Sequence, residues 1–339
     1  MENDIEELFG SEGSPEPPMR EVNNLNSGTG GFAFSVATVI FVIMNLVFGG
    51  LMKLVPEYSY GYWFLSFLAS PLAIAASIAF TLNAKKISFK RVFPVKCKPK
   101  YYLIALLIVF GLFFSLSEIN EWFLNLFNLG QSETYIKLDE FINSLSGGWI
   151  ALALLVIAVL PAIFEEALFR GVILNSSEGS LGTVRTVLIV GFVFSLFHGS
   201  PEQTVYQFLA GCAFALVAVR SGSIVPGMIM HFLNNAIVII LSASVTPDES
   251  GNFISPTVQI VLMVLGAVAL VAGLLLLILD RGTVEKTAFG KKIGFVFENP
   301  PLKPYIRGSV KAFFINGALG IGVFVVLWFV NFASLFIGS

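Results

Sequence analysis

Charge is scarce in this chain. Asp, Glu, Lys and Arg make up 12% of its residues, against about 25% in an ordinary soluble domain, and a mean hydropathy of +0.83 excludes a water-soluble globule. The charges that are present nearly cancel, 20 Lys and Arg against 22 Asp and Glu, but in a membrane protein their distribution says more than their sum; no nucleic-acid partner is expected. Cysteine is limited to Cys97, in a basic loop, and Cys212, in an apolar run. Membrane depth would separate the two, so no disulfide is expected. Residues 1–30 lack the cationic and apolar regions of a signal peptide and are acidic and rich in Gly, Ser, Pro and Asn. They read as a disordered tail.

What the chain has in abundance is long apolar runs. A membrane span needs about 20 mostly apolar residues, and nine stretches qualify: 31–52, 60–83, 101–117, 149–174, 183–198, 203–220, 223–243, 256–279 and 312–336, the fifth being the shortest. The expected fold is all-α, a polytopic transmembrane helix bundle of about nine spans. Lys85, Lys86, Lys90, Arg91, Lys96, Lys98 and Lys100 crowd the loop after the second span, and Arg281, Lys286, Lys291, Lys292, Lys303, Arg307 and Lys311 the loop after the eighth. An even number of crossings separates these loops, so both can lie on the cytoplasmic side, as the bias of Lys and Arg requires. That places the amino terminus in the cytoplasm of a multi-pass protein, expected in a prokaryotic plasma membrane. The opposite loops carry Glu118, Glu121, Glu133, Asp139 and Glu140, or Asp248 and Glu249. Between 118 and 147, EWFLNLFNLG and YIKLDEFINSL read as short interfacial helices. Pro94 and Pro99 break the basic linker 85–100, whereas Pro161 and Pro226 mark kinks inside spans.

Ionisable groups within such runs cost roughly 2.5–3.5 kcal/mol each even on lenient scales, and so persist mainly where they face protein or water. The two histidines, His198 and His231, lie inside apolar runs, as does the pair Glu165-Glu166 in VLPAIFEEALFRGVIL. On a helix Glu166 and Arg170 share a face and can pair, while Glu165 is turned about 100° away without a partner in its own helix. The paired carboxylate suits a structural anion, and the unpaired one a general base. The plainer reading is a Glu-Glu-Arg cluster that locks helices together. GFVFSLFHGSPEQ sets Phe194 and His198 four apart before a Gly-Ser-Pro turn; taken alone, His198 reads equally well as an interfacial group. MHFLNNA places His231 and Asn235 on one face with Asn234 beside them, and for the amides interhelical hydrogen bonding is the plainer reading. Together these residues supply a base, a group to orient water and donors for an oxyanion.

FEEALFR, Phe194 to His198 and His231 to Asn235 match, in order and spacing, the EExxxR, FxxxH and HxxxN signatures. In this the chain resembles the CPBP family of intramembrane glutamate proteases, and the type II CAAX-processing endopeptidases related to the Ras-converting enzyme in particular. The resemblance covers roughly 149–243, leaving 31–148 and 244–339 as flanking segments on whose role it says nothing. It implies that Glu165 activates the attacking water with help from His198, that His231 and Asn235 stabilise the oxyanion, and that Glu166, Arg170, Phe194 and Asn234 support them. No cofactor or metal is implied. HExxH is also absent, although one Glu and two His formally make three zinc ligands.

The implied partners are membrane lipid and a membrane-associated or lipidated peptide or protein, hydrolysed at a peptide bond. The alternative is a non-catalytic scaffold, immunity protein or signalling regulator of the same fold; a proton-coupled transporter fits less well, because the polar residues have no counterpart in the flanking spans. One difficulty stands out. Glu165 falls deep in its span while His198 ends an outward-running one, a mismatch of roughly 10–20 Å at 1.5 Å per residue. The catalytic reading therefore requires the turn at Gly199-Ser200-Pro201 to be buried within protein.

Overall fold

Every regular element among the described residues is helical. The computed structural model describes residues 25–126, 133–244, 254–280 and 304–337; the acidic tail to residue 24, Asp248 and Glu249, and the basic run from Arg281 to Lys303 lie outside the described residues. The helices are α1 (Ser27–Met52), α2 (Tyr60–Ala84), α3 (Lys100–Leu126), α4 (Glu133–Ser144), α5 (Gly148–Ser177), α6 (Thr183–His198), α7 (Thr204–Ser221), α8 (Val225–Ser244), α9 (Pro256–Leu279) and α10 (Val310–Leu335). All but α4 and α6 belong to helices long and apolar enough to cross a membrane, eight in all among the described residues. The protein is an integral, multi-pass membrane bundle. The expected fifth span is α6, whose 16 residues reach only about 24 Å, short of the roughly 30 Å hydrocarbon core.

Several boundaries differ from the sequence reading, two of them with a clear local cause. α1 starts at Ser27 instead of 31, because Asn26 caps it, its side chain accepting from the Thr29 amide at 3.1 Å. α3 does not stop at 117: a wide π-helical turn at Leu112–Leu116 carries it on to Leu126, so EWFLNL is its final part and not a separate interfacial helix. The polar groups of that extension find partners in the bundle, Asn120 on the Glu202 carbonyl at 2.8 Å and Glu118 on Gln259 at 2.8 Å. The second segment, YIKLDEFINSL, is the separate helix α4. It docks through Phe141, buried among Tyr60, Trp63 and Phe64 at ring separations of 5.6–5.8 Å. The linker 85–100 holds one helical turn, Phe89–Val92.

Packing encloses the middle of the chain. α1 lies between α2 and α10 and against the second half of α5, while α3 packs on α9, α8 and α7. Ser35 on α1 donates to the Asn316 carbonyl on α10 at 2.7 Å, and Phe34 meets Phe324 at 6.0 Å and Phe197 at 6.4 Å, joining α1, α10 and α6. Between helices in lipid, close packing and hydrogen bonds of this kind replace the hydrophobic effect as the adhesive. On α9, Val264, Val268, Val271 and Leu275 are exposed, as lipid-facing residues are.

α5 is irregular where it matters. Wide π-helical turns at Leu154–Val159 and Ala167–Leu174 flank an ordinary α-helical stretch, Leu160–Glu166, that ends on the two carboxylates. Pro161 has no N–H for the carbonyl four residues earlier, that of Ile157. Asn235 on α8 fills the gap, its amide nitrogen donating to the Ile157 oxygen at 2.9 Å.

Candidate active site

The structure brings the polar residues of three helices together. Glu166 and Arg170, one turn apart on α5, pair at 2.7 Å with both side chains fully buried. Arg170 also donates to the Gly211 carbonyl on α7 at 3.0 Å, and its guanidinium lies 4.5 Å from the Phe194 ring and 5.2 Å from that of Phe214. Charge, hydrogen bond and ring faces thus offset the desolvation of the cation.

Across from this pair, His231 on α8 touches both carboxylates: its Nδ1 is 3.3 Å from Glu166 Oε1, and its Nε2 is 3.9 Å from Glu165 Oε2. An ionised carboxylate only accepts, so Nδ1 carries the proton in the first contact. The close approach of α8 depends on Gly227, one turn before His231. A Cβ there would lie 2.6 Å from Glu166 Oε2, so any side chain would displace the carboxylate that Arg170 and His231 share. Glu165, without a partner in its own helix as its position predicts, is nonetheless buried; Glu165 Oε2, Glu166 Oε2 and Arg170 Nε have no hydrogen-bond partner among the described residues.

His198 arrives from the end of α6. Its Nδ1 lies 2.9 Å from the Phe194 carbonyl, an acceptor, so the proton sits on Nδ1 and Nε2 presents a lone pair. The Phe194 ring stands between the two imidazoles, 4.8 Å from that of His198 and 6.0 Å from that of His231. Gly199 closes α6 in the left-handed region at φ 61°, where a side chain would be strained, and Gly199, Pro201 and Glu202 are buried. The turn after His198 is therefore enclosed by protein, as convergence of the two sites requires.

The amides are arranged otherwise than spacing alone suggests. Asn235 uses an N–H on Ile157 while its side-chain oxygen accepts from Asn234 at 3.3 Å, and Asn234 in turn accepts from the Tyr206 hydroxyl on α7. Tyr206 and Gly227 escaped the sequence reading; Gly227 had a signal, standing four residues before His231 in GMIMH. The histidine in closest contact with Glu165 is His231. Among the described residues, no group of three or more His, Cys, Asp or Glu is arranged to hold a metal ion.

Beside the α6 end, an apolar cavity of about 440 Å³ opens between α6, α7 and α10; its lining includes Phe192, Ser195, Leu196, Thr204, Phe208 and Trp328. Neither a curated protein nor a solved structure matches this chain. Residues 147–237, about a quarter of the chain, match the family model described as type II CAAX prenyl endopeptidase Rce1-like. The match begins and ends within about six residues of the 149–243 stretch that the resemblance covers, and over that segment, α5 to the middle of α8, the chain is similar to this family.

Proposed function

We propose that this protein is an intramembrane endopeptidase that hydrolyses a peptide bond of a membrane-associated or lipidated substrate by attack of water activated at Glu165. The observation that carries the reading is the buried Glu165 carboxylate facing His231 across 3.9 Å, too long for a direct hydrogen bond and short enough for one water to touch both. Glu165 takes a proton from water, which His198 Nε2 orients as acceptor; the hydroxide adds to the carbonyl carbon, forming a tetrahedral oxyanion. His231, through the ring edge turned toward Glu165, and the second amide N–H of Asn235 donate to that oxygen. Collapse breaks the C–N bond as the proton held by Glu165 passes to the leaving amine.

The cavity between α6, α7 and α10 supports a substrate that carries a hydrocarbon chain: it is apolar, within the roughly 300–1,000 Å³ range of small-molecule sites, and starts two to three residues from His198. The Lys- and Arg-rich loop after α2, two crossings from the amino terminus, supports a cytoplasmic amino terminus. The test is membrane-proteome profiling of cells carrying wild type or Glu165→Gln, where the variant accumulates uncleaved precursors. Identical proteomes with normal biological activity would instead make the protein a scaffold or regulator of the same fold.

Two further outcomes are expected from the purified protein. Asn235→Ala lowers kcat by roughly a hundredfold through loss of an oxyanion donor, and lowers stability by about 1–3 kcal/mol because the Ile157 carbonyl is left unpartnered. A change confined to KM contradicts the oxyanion role. Chelator treatment leaves turnover unchanged, and loss of activity that zinc restores would refute the metal-free mechanism.

A further inference from the structure

The buried turn that delivers His198 is held in part by residues that lie outside the segment matched by the family model. Ending a helix inside a bundle leaves carbonyls that need donors. The Gly199 carbonyl receives one from Asn331 Nδ2 on α10 at 2.7 Å, and the Ser200 carbonyl one from Thr204 Oγ1 at 2.9 Å. Thr204 Oγ1 is itself held by Trp328 Nε1, also on α10, at 2.8 Å, and its carbonyl by Ser195 at 2.8 Å. From the opposite flank, Asn120 on α3 donates to the Glu202 carbonyl and accepts from the Tyr206 amide. Apolar packing runs alongside: Phe324 on α10 meets Phe197, the residue before His198, at a ring separation of 4.9 Å.

Asn331 is otherwise hard to account for. It lies in an apolar span, on the exposed face of α10, where an amide is costly unless it has a partner. Its partner is the carbonyl of the residue that follows His198.

We propose that Asn331 is a positioning residue for His198, so that the last helix, through Asn331 and Trp328, sets the place of the imidazole in the active site. Asn331 touches neither ring nor substrate and acts through the Gly199 carbonyl. α10 is thus a working part of the site, although it lies about 70 residues beyond the end of the family match. The consequence for turnover rests on the hydrolytic reading above; the placement of the ring does not.

The two-histidine composition supplies a readout independent of activity. Full-length protein labelled with ¹⁵N-histidine, in lipid nanodiscs, shows two imidazoles, told apart by a His198→Gln control. In Asn331→Asp, which keeps the shape and removes both N–H donors, the His198 ring resonances are expected to shift or broaden while those of His231 stay in place. Trp328→Phe, which removes one N–H and keeps an aromatic ring, is expected to give the same pattern more weakly. With a farnesylated reporter peptide, Asn331→Asp is expected to lower kcat about tenfold with KM within about twofold, and Asn331→Gln, which retains the donors, to recover most of it. His198 resonances that superimpose on wild type in both variants overturn the proposal. So does a joint shift of both rings, which would mark general loosening. Absence of turnover in wild type would count against the hydrolytic reading alone and leave the resonance test standing.

Discussion

Glu165→Gln is expected to reduce peptidase turnover by about 10²–10⁴-fold, the range of a general base removed from its reaction, while the protein keeps its fold. The amide preserves the shape of the side chain and cannot take a proton from water. Its small structural cost follows from the geometry: among the described residues Glu165 Oε2 makes no hydrogen bond, and His231 Nε2 stands 3.9 Å from it. The measurement is single-turnover cleavage of a farnesylated peptide by wild type and variant, with thermal stability recorded on the same samples. Undiminished turnover removes Glu165 from the base role; a large fall in stability would assign it to the structural cluster instead.

The neighbouring carboxylate should behave in the opposite way. Glu166→Ala leaves a fully buried guanidinium without its counter-ion and takes away the acceptor for His231 Nδ1. Breaking one side of a buried pair typically costs about 3–5 kcal/mol, so this variant is expected to lose stability first and activity as a result. Denaturation of the purified protein in mixed micelles, followed by tryptophan fluorescence, provides the number. A stability within about 0.5 kcal/mol of wild type, the usual range for surface substitutions, would mean that Glu166 does not anchor Arg170. Two adjacent glutamates thus separate into a working group and a supporting one by a rotation of about 100° along the helix.

That division was legible in the sequence because it depends only on helical periodicity: Glu166 to Arg170 is one turn, and Glu165 is not on that face. The apolar runs gave the helices for the same reason, since 20-odd apolar residues have few other solutions in a bilayer. The contacts between helices were less legible. Nothing in the local pattern says that Asn235 completes the carbonyl freed by Pro161, seventy-odd residues away, or that His231 approaches both carboxylates, because such pairings follow from packing. The end of α3 was misread because a π-helical turn at Leu112–Leu116 rephases the polar residues that follow, and the sequence there resembles an interfacial segment once the α-helical phase is assumed to continue. The requirement that the Gly199 turn be enclosed was deduced from the motifs; the asparagines that make enclosure affordable were not, since an Asn in an apolar span carries no label of its partner.

The wide turns of α5 have a consequence of their own. A π-helical turn is an α-helix with one surplus residue accommodated in the coil, and there is such a turn on the amino-terminal side of Glu165 and Glu166. Deleting one residue from it would let the coil tighten and would swing the whole preceding portion of α5 by about 100° relative to the carboxylates. The Ile157 oxygen would then face away from Asn235, and the rings around Trp149 away from α2. Chain length in this stretch is therefore as tightly constrained as residue identity, and homologous sequences aligned with a gap there would not share this arrangement.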